Sequence, residues 1–431
     1  MLRPPLLFSS LLWTTVSSFA CSAPPDPEEN STTSTSSTNS STGVDSTSTS
    51  TSTSGVLTGE TASGSSGSTS GGTTTGEPPS DCEILAQEGP PVAQSILAME
   101  ADTWTQIPDT RMTDVCPEDP DIQGVLGCVG VVSAWGGAAL DTRRNRLLVW
   151  GGGHADYSGN ELYAFDLLEG TWARLTDPSP GPSSQMYSVD PLPDGTPVSR
   201  HTYDGLVYLD AEDWLLAHGG SMATSGAGTR VTWKFDPLAG TWLNLQPGGT
   251  IAPGEGQAVN LSSAYDPKTG TALMRDPYAV YVYTPRENQW TVLLDEAHTW
   301  SAQTSVFEPT RRLFFSIGGG ELRVLDVDAA MDVSDAWAAA DSNAIVAAEA
   351  PGVAYDPVGD MLVAWSGGPA RSLDLSTQTW EEGSAQGAPA SAQPAGTFGR
   401  WRYVPILNAF VLVRAADEDV WIYKRTAGCA P

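Results

Sequence analysis

The sequence predicts an all-β fold, a single six-bladed β-propeller over residues 81–431, with a seventh blade as the alternative count. Three observations predict it. A unit of short strand signals recurs six times from about residue 130 onward. The last copy lacks its closing strand, and a matching strand stands near the other end of the chain. Two of the cysteines, Cys82 and Cys429, bracket the whole array.

The fullest copy of the unit is Leu147-Leu148-Val149-Trp150-Gly151-Gly152-Gly153, a polar loop, Leu162-Tyr163-Ala164-Phe165-Asp166, then Gly170-Thr171-Trp172. Short apolar and β-branched runs punctuated by Gly and Asp turns are strand signals, and their recurrence marks a repeat fold. The second copy reads Trp214-Leu215-Leu216-Ala217-His218-Gly219-Gly220, Thr232-Trp233-Lys234-Phe235-Asp236 and Gly240-Thr241-Trp242. The third runs from Ala264-Tyr265-Asp266 through Tyr281-Val282-Tyr283 to Trp290. The fourth holds Leu313 to Gly319 and Leu322 to Asp326, with an irregular outer part. The fifth runs from Ala354-Tyr355-Asp356 through Gly367-Gly368 to Thr379-Trp380, and the sixth from Arg402-Tyr403 to Tyr423. The Thr-Trp strand missing from the sixth matches Asp102-Thr103-Trp104-Thr105-Gln106-Ile107. The expectation is a ring in which this N-terminal strand completes the last blade, removing the unpaired edge that an open array would expose. The Trp of each fourth strand is expected to cover the seam between blades.

The combined Gly-Gly, Tyr/Phe-Asp and Thr-Trp series, over about residues 100 to 425, resembles kelch repeats and the galactose-oxidase propeller. The resemblance implies a propeller, and it raises the copper–radical site of galactose oxidase. That site needs a Cys cross-linked to a Tyr, and no cysteine lies between Cys128 and Cys429. The chain also ends just after the sixth unit, without the further domain that supplies a copper ligand. Copper–radical oxidation is therefore not expected, and neither is any other cofactor. No Cys or His pair has zinc-ligand spacing. Sialidase-like propellers carry an Asp-box series that is absent here.

Residues 1–20 read as a signal peptide: Arg3 is the positive start, and Leu6 to Ala20 form a mostly apolar stretch too short to span a bilayer. Ser18-Phe19-Ala20-Cys21 resembles a bacterial lipobox, with Ser18 where Leu is usual, and implies lipidation of Cys21. Ordinary cleavage nearby, releasing a secreted product, is the alternative. Residues 21–80 are Ser, Thr, Gly and Pro with scattered acids. Such a segment has too little apolar surface to offset the entropy of ordering, and reads as a disordered tether. Beyond Cys21, Cys82, Cys116, Cys128 and Cys429 allow three pairings. Cys116–Cys128 with Cys82–Cys429 suits a closed ring in an exported protein, and four free thiols are the alternative.

The formal charge of −30 argues against nucleic acid and against an electrostatic grip on anionic lipid. Contact with a membrane is expected only through the lipid anchor, at a cell envelope or surface. A closed ring needs no partner to hide its edges, so a monomer is expected.

In a propeller the loop entering the innermost strand and the loop after the second strand share one face. Candidate ligand-binding residues follow from that geometry. The loop after the second strand of unit 1 carries His154 and Asp156. The inner strand of unit 2 is assigned Arg200-His201-Thr202-Tyr203-Asp204, and the loop later in that unit ends near Arg230. His298 and Trp300 lead into unit 4, and the last inner strand, of unit 6, is assigned Arg400-Trp401-Arg402-Tyr403. Arg, His and aromatic side chains together suit a sugar or an anionic group. Asp156 and Asp204 offer an acid or base, and Tyr157 and Tyr203 a nucleophile. The competing account has each His satisfying a turn and each Arg bridging blades through buried carbonyls. Three functions stay open: a recognition module binding a glycan or protein ligand at the channel mouth, a carbohydrate-active hydrolase or lyase on that face, and a structural envelope protein.

Overall fold

The structure, a computed structural model, describes residues 79–118, 122–179, 189–223, 225–249, 259–295, 302–340 and 343–430. The signal peptide, most of the tether and Cys21 lie outside the described residues, as do His298 and Trp300. Among the described residues no helix is long and apolar enough to cross a membrane.

Six four-stranded antiparallel sheets form the six blades of a propeller. Their innermost strands are Gly137–Asp141, Leu206–Leu209, Ser262–Asp266, Thr304–Glu308, Gly352–Asp356 and Trp401–Val404. Each touches the next, and the first touches the last, so the ring is closed. Small residues such as Ala138, Ala139, Ser263 and Ser305 let these strands crowd around the axis. Second strands such as Trp214–His218 and Leu313–Gly318 are buried along their whole length. A strand covered on both faces reads as a continuous apolar run rather than an alternating one, as these do.

Blade 6 is composite. Its outermost strand is Thr103–Gln106, paired antiparallel with Trp421–Lys424 from Thr103 opposite Lys424 to Gln106 opposite Trp421. Ring closure by the N-terminal strand is thus borne out, and so is the pairing of cysteines as Cys82–Cys429 and Cys116–Cys128. Both bridges fit an oxidising environment. Helices Asp81–Glu88 and Pro91–Leu97 precede the closing strand. Ser80 and Glu83 form a reciprocal cap at the start of the first, satisfying two otherwise orphaned N–H groups.

The fourth-strand tryptophans cover seams as expected. Trp290 of blade 3 donates its indole N–H to Thr232 Oγ1 of blade 2 at 3.1 Å, and Trp242 of blade 2 packs on Trp150 of blade 1 at 5.0 Å. Blade 4 departs from the pattern. Its outer strand is only Met331–Asp332, and Trp337 from the following 3₁₀ turn stands edge-on to Phe315.

One face of the ring carries the tight turns between strands 1 and 2 and between strands 3 and 4, and is called the turn face. The other carries the blade-to-blade connectors and the loops between strands 2 and 3, and is called the connector face. On the turn face, arginines latch neighbouring blades. Arg312 of blade 4 holds Asp266 of blade 3 through two bonds of 2.8 and 2.7 Å, and Arg144 of blade 1 holds Asp213 of blade 2 the same way. Planar two-point pairs of this kind are the strong form of ion pair.

Two sequence assignments need correcting. Arg200–His201 does not belong to the inner strand of blade 2, which is Leu206–Leu209; it pairs with Ser221–Met222 in a separate two-stranded ribbon. Tyr203 takes a φ of +51°, which turns the chain before the blade begins. Arg400 likewise closes a 3₁₀ turn, Phe398–Arg400, ahead of the inner strand of blade 6.

Candidate functional site

The connector-face end of the channel is plugged. Tyr203, Val259, Ala302, Ala350 and Phe398 come from five successive connectors and pack together there. Away from this plug, a second region of the same face is open at the rim, over blades 1 and 2.

Three segments build that rim. The first is the loop Gly151–Leu162, fixed by Ser199, whose hydroxyl accepts from Gly153 N at 3.1 Å and donates to Tyr157 O at 2.9 Å. The second is the segment after Cys116, stapled by the Cys116–Cys128 bridge. It lies along the first, with Val125 N donating to Ala155 O at 3.1 Å, Leu126 N to Asp156 O at 3.0 Å, and Ser158 N to Gln123 O at 2.8 Å. Gly124 makes this approach feasible, because a Cβ there would stand 2.3 Å from Asp156 O. The third is the Arg200–His201 ribbon with its hairpin. Its Gly226, at φ +67°, lets the exposed His154 imidazole rest on it; an added Cβ would lie 2.3 Å from Nε2. A cavity of about 440 Å³ opens between Gln123–Val125, Ala155, Tyr157 and Ala223.

His201 is the centre of the cluster. Its Nε2 stands 3.0 Å from Asp156 Oδ2. An ionised Asp156 can only accept, which puts the imidazole proton on Nε2. The ring lies 4.8 Å from Trp135, 5.6 Å edge-on from His154 and 6.0 Å edge-on from Tyr203. Burial pushes the His201 pKa down and His154 adds to this, while Asp156 pulls the other way; the net shift is downward. The imidazole is therefore neutral at neutral pH. Burial also pushes the Tyr203 phenol up to about 12. Trp135 is 41% exposed, so part of its indole is open to solvent beside the His201 imidazole.

The sequence candidates divide in this geometry. His154, Asp156, His201 and Tyr203 converge. Arg230 is exposed on the loop between the second and third strands of blade 2. Arg200 is buried and bonded to Asp190 Oδ2 at 2.8 Å and to the carbonyls of Val198 and Gly219. Asp190 in turn accepts from Thr229 and Trp233, so this is a structural knot. Arg400 is buried as well and donates to the carbonyls of Gly136, Gly396, Val413 and Arg414, with its pKa pushed down to about 9 by burial. Those two arginines do what the competing account described. His218 is buried inside blade 2, with Nδ1 2.8 Å from Thr232 Oγ1 and its ring 4.9 Å from Trp290. Tyr157 is buried and donates to the buried Glu161 at 2.5 Å, as Tyr163 does at 2.6 Å. Arg402 and Asp204 are not at the rim; they lie together in the central channel.

Sequence reasoning missed Trp135, whose one signal was its place before Gly136-Gly137 at the entry to the first inner strand. It also missed Val125, 82% exposed at the edge of the same rim. Among the described residues no three of His, Cys, Asp and Glu converge as a metal ion would require. Chemically, the rim offers an aromatic platform, a neutral imidazole held by a carboxylate, and a second, exposed imidazole. No protein-family model matches the chain, and no curated protein matches it.

Proposed function

We propose that this protein is an exported recognition head, anchored through lipidated Cys21, held off a bacterial envelope by its Ser/Thr-rich tether, and binding a glycan at the rim of blades 1 and 2. The observation that carries this reading is the half-exposed Trp135 ring 4.8 Å from His201, with His154 and Asp156 beside it. Sugars present apolar C–H faces and polar edges, which an indole face flanked by hydrogen-bonding groups matches. The rim's backbone is tied by the Cys116–Cys128 bridge and by three cross-segment hydrogen bonds, so little ordering entropy opposes binding. A glycan array probed with the full-length protein and with a Trp135→Ala/His154→Ala variant tests it. Binding that is lost in a variant of unchanged near-ultraviolet circular dichroism supports the glycan reading. No binding by either protein overturns it and favours a protein ligand. Metabolic incorporation of a fatty-acid label that disappears in Cys21→Ala tests the anchor.

A second reading, a hydrolase or lyase acting on an acidic carbohydrate, is favoured by the 3.0 Å Asp156–His201 contact. A neutral imidazole oriented by a carboxylate is a competent general base, and a Tyr203 phenol with raised pKa a proton donor. Release of unsaturated or reducing ends from uronate polysaccharides, abolished in His201→Ala, would establish it. Binding without turnover would leave the recognition reading in place.

A further inference from the structure

The central channel is closed on the connector face, yet a cavity of about 190 Å³ runs inside it, lined toward its outer end by turn-face residues. At its inner end lies Arg402, a charged side chain only 18% exposed. Its Nη2 donates to Ala138 O at 3.2 Å and to Asp204 Oδ1 at 3.5 Å. Nε and Nη1 make no hydrogen bond to any described residue. The Asp204 pair is a single long contact, unlike the two-point latches at Arg312 and Arg144. Asp204 is instead committed to the sheet, with Oδ2 accepting from Ser305 N at 2.9 Å and Ser263 N at 3.3 Å. The guanidinium thus keeps unused donors facing a cavity in the middle of a protein of net charge −30.

We propose that this channel is a second ligand site, distinct from the rim, in which Arg402 anchors the carboxylate of a short-chain monocarboxylate entering from the turn face. The donors suit a carboxylate because the guanidinium fork matches its two oxygens. The walls around the rest of the ligand are mixed: Ala139, Leu206, Ala264, Val306 and Phe307 supply the apolar surface for a short alkyl chain, and Tyr208, Ser263 and Ser305 supply polar atoms. The size is bounded, since a cavity of about 150 Å³ takes benzene. A single anion is selected over a polyanion. Among the described residues only the Arg402 guanidinium lines the cavity, Asp204 lies beside it, and Asp210 stands at the outer end. The chain's own charge opposes further negative charge. The proposal does not rest on the rim reading.

Butyrate and its neutral isostere butyramide are the probes, titrated into the full-length protein by isothermal calorimetry and ligand-observed NMR. Butyrate is expected to bind at least about tenfold tighter than butyramide, the margin of a charge-assisted two-point bond. Measured at pH 8, where Asp204 is ionised, Asp204→Asn keeps an oxygen for the Ser263 and Ser305 N–H groups and removes the competing charge, so it should tighten butyrate binding severalfold. Arg402→Gln should abolish it. Because Arg402→Gln strands Asp204 and can unfold the ring, Ala264→Leu is the second variant; it fills the cavity without touching either charge, and should also abolish binding. Trp135→Ala should leave butyrate affinity unchanged. Equal affinity for butyrate and butyramide, no binding of either, or butyrate binding that survives in folded Ala264→Leu would overturn the proposal.

Discussion

Removing the Cys82–Cys429 bridge, by Cys82→Ser with Cys429→Ser, should be the most damaging change of its kind in this chain. The two cysteines are 347 residues apart in sequence, and their Cα atoms are 5.9 Å apart in the fold. A bridge stabilises mainly by restricting the unfolded chain, and the loop-closure term for a loop of this length is about 6 kcal/mol at 25 °C. The same expression gives about 3 kcal/mol for Cys116–Cys128, whose sequence separation is 12. Domains are stable by only about 5–15 kcal/mol, so the first loss approaches the whole margin and the second does not. The loss should also be local in its first signs. Without the bridge, Thr103–Gln106 is held to blade 6 by its strand pairing, by Trp104, which packs 5.6 Å from Trp401 and 4.7 Å from Tyr423, and by flanking bonds such as Ile107 N to Val420 O and the Tyr423 hydroxyl to Asp102. Urea unfolding of the oxidised full-length protein and of the two double-serine variants, followed by tryptophan fluorescence, measures the difference. A cost for the long bridge no greater than for the short one would refute the reasoning, since the ring would then be holding its ends without the cross-link.

Two further outcomes follow from buried charges. Burial pushes Asp204 up to about 7, against about 3.9 in an unfolded chain. The native state therefore binds the extra proton between about pH 4 and pH 7, stability falls as pH rises through that window, and the loss is complete above it, at most about 4 kcal/mol. Asp204→Asn should lack this slope, and urea midpoints measured across the window that run parallel to the wild type would refute the shift. Arg400→Ala should cost about 3 kcal/mol or more, because it strands buried carbonyls contributed by the connectors and by blade 6; a cost below about 1 kcal/mol by the same assay would mean that water replaces the guanidinium.

The ring was legible in the sequence because its signals are local and repeated. Each blade announces itself within about forty residues, and the one missing strand had a unique match at Thr103–Gln106. The cysteine pairing followed from the closure. Roles of individual side chains were less legible, since they depend on what lies across a seam. Nothing local distinguishes Arg400, spent on four carbonyls, from Arg402, which faces a cavity two positions later. His218 sits on a strand buried on both faces, where no alternation tells which side a residue takes. Arg200-His201 reads in the sequence as part of the inner strand of unit 2, and no local signal marks it off from that strand. The left-handed turn at Tyr203, a non-glycine residue, is what displaced it into a ribbon and so brought His201 to Asp156. Trp135 carries no motif of its own and becomes noticeable only when its neighbours in space are known.

The composite last blade also imposes an order on folding. A chain made from its N-terminus produces Thr103–Gln106 some three hundred residues before Trp421–Lys424, its one strand partner among the described residues. Until then the strand has nothing to pair with, and the inner strand of blade 1 has no neighbour on its blade 6 side. Blades 1 to 5 can assemble as they emerge, but the circle cannot shut before Trp421–Lys424 has been made. Contacts of this sequence separation are slow to form, and an unpaired strand edge is an invitation to other chains. The final segment thus acts as a completion check, and a chain truncated within blade 6 should accumulate as an open, association-prone arc rather than as a smaller propeller.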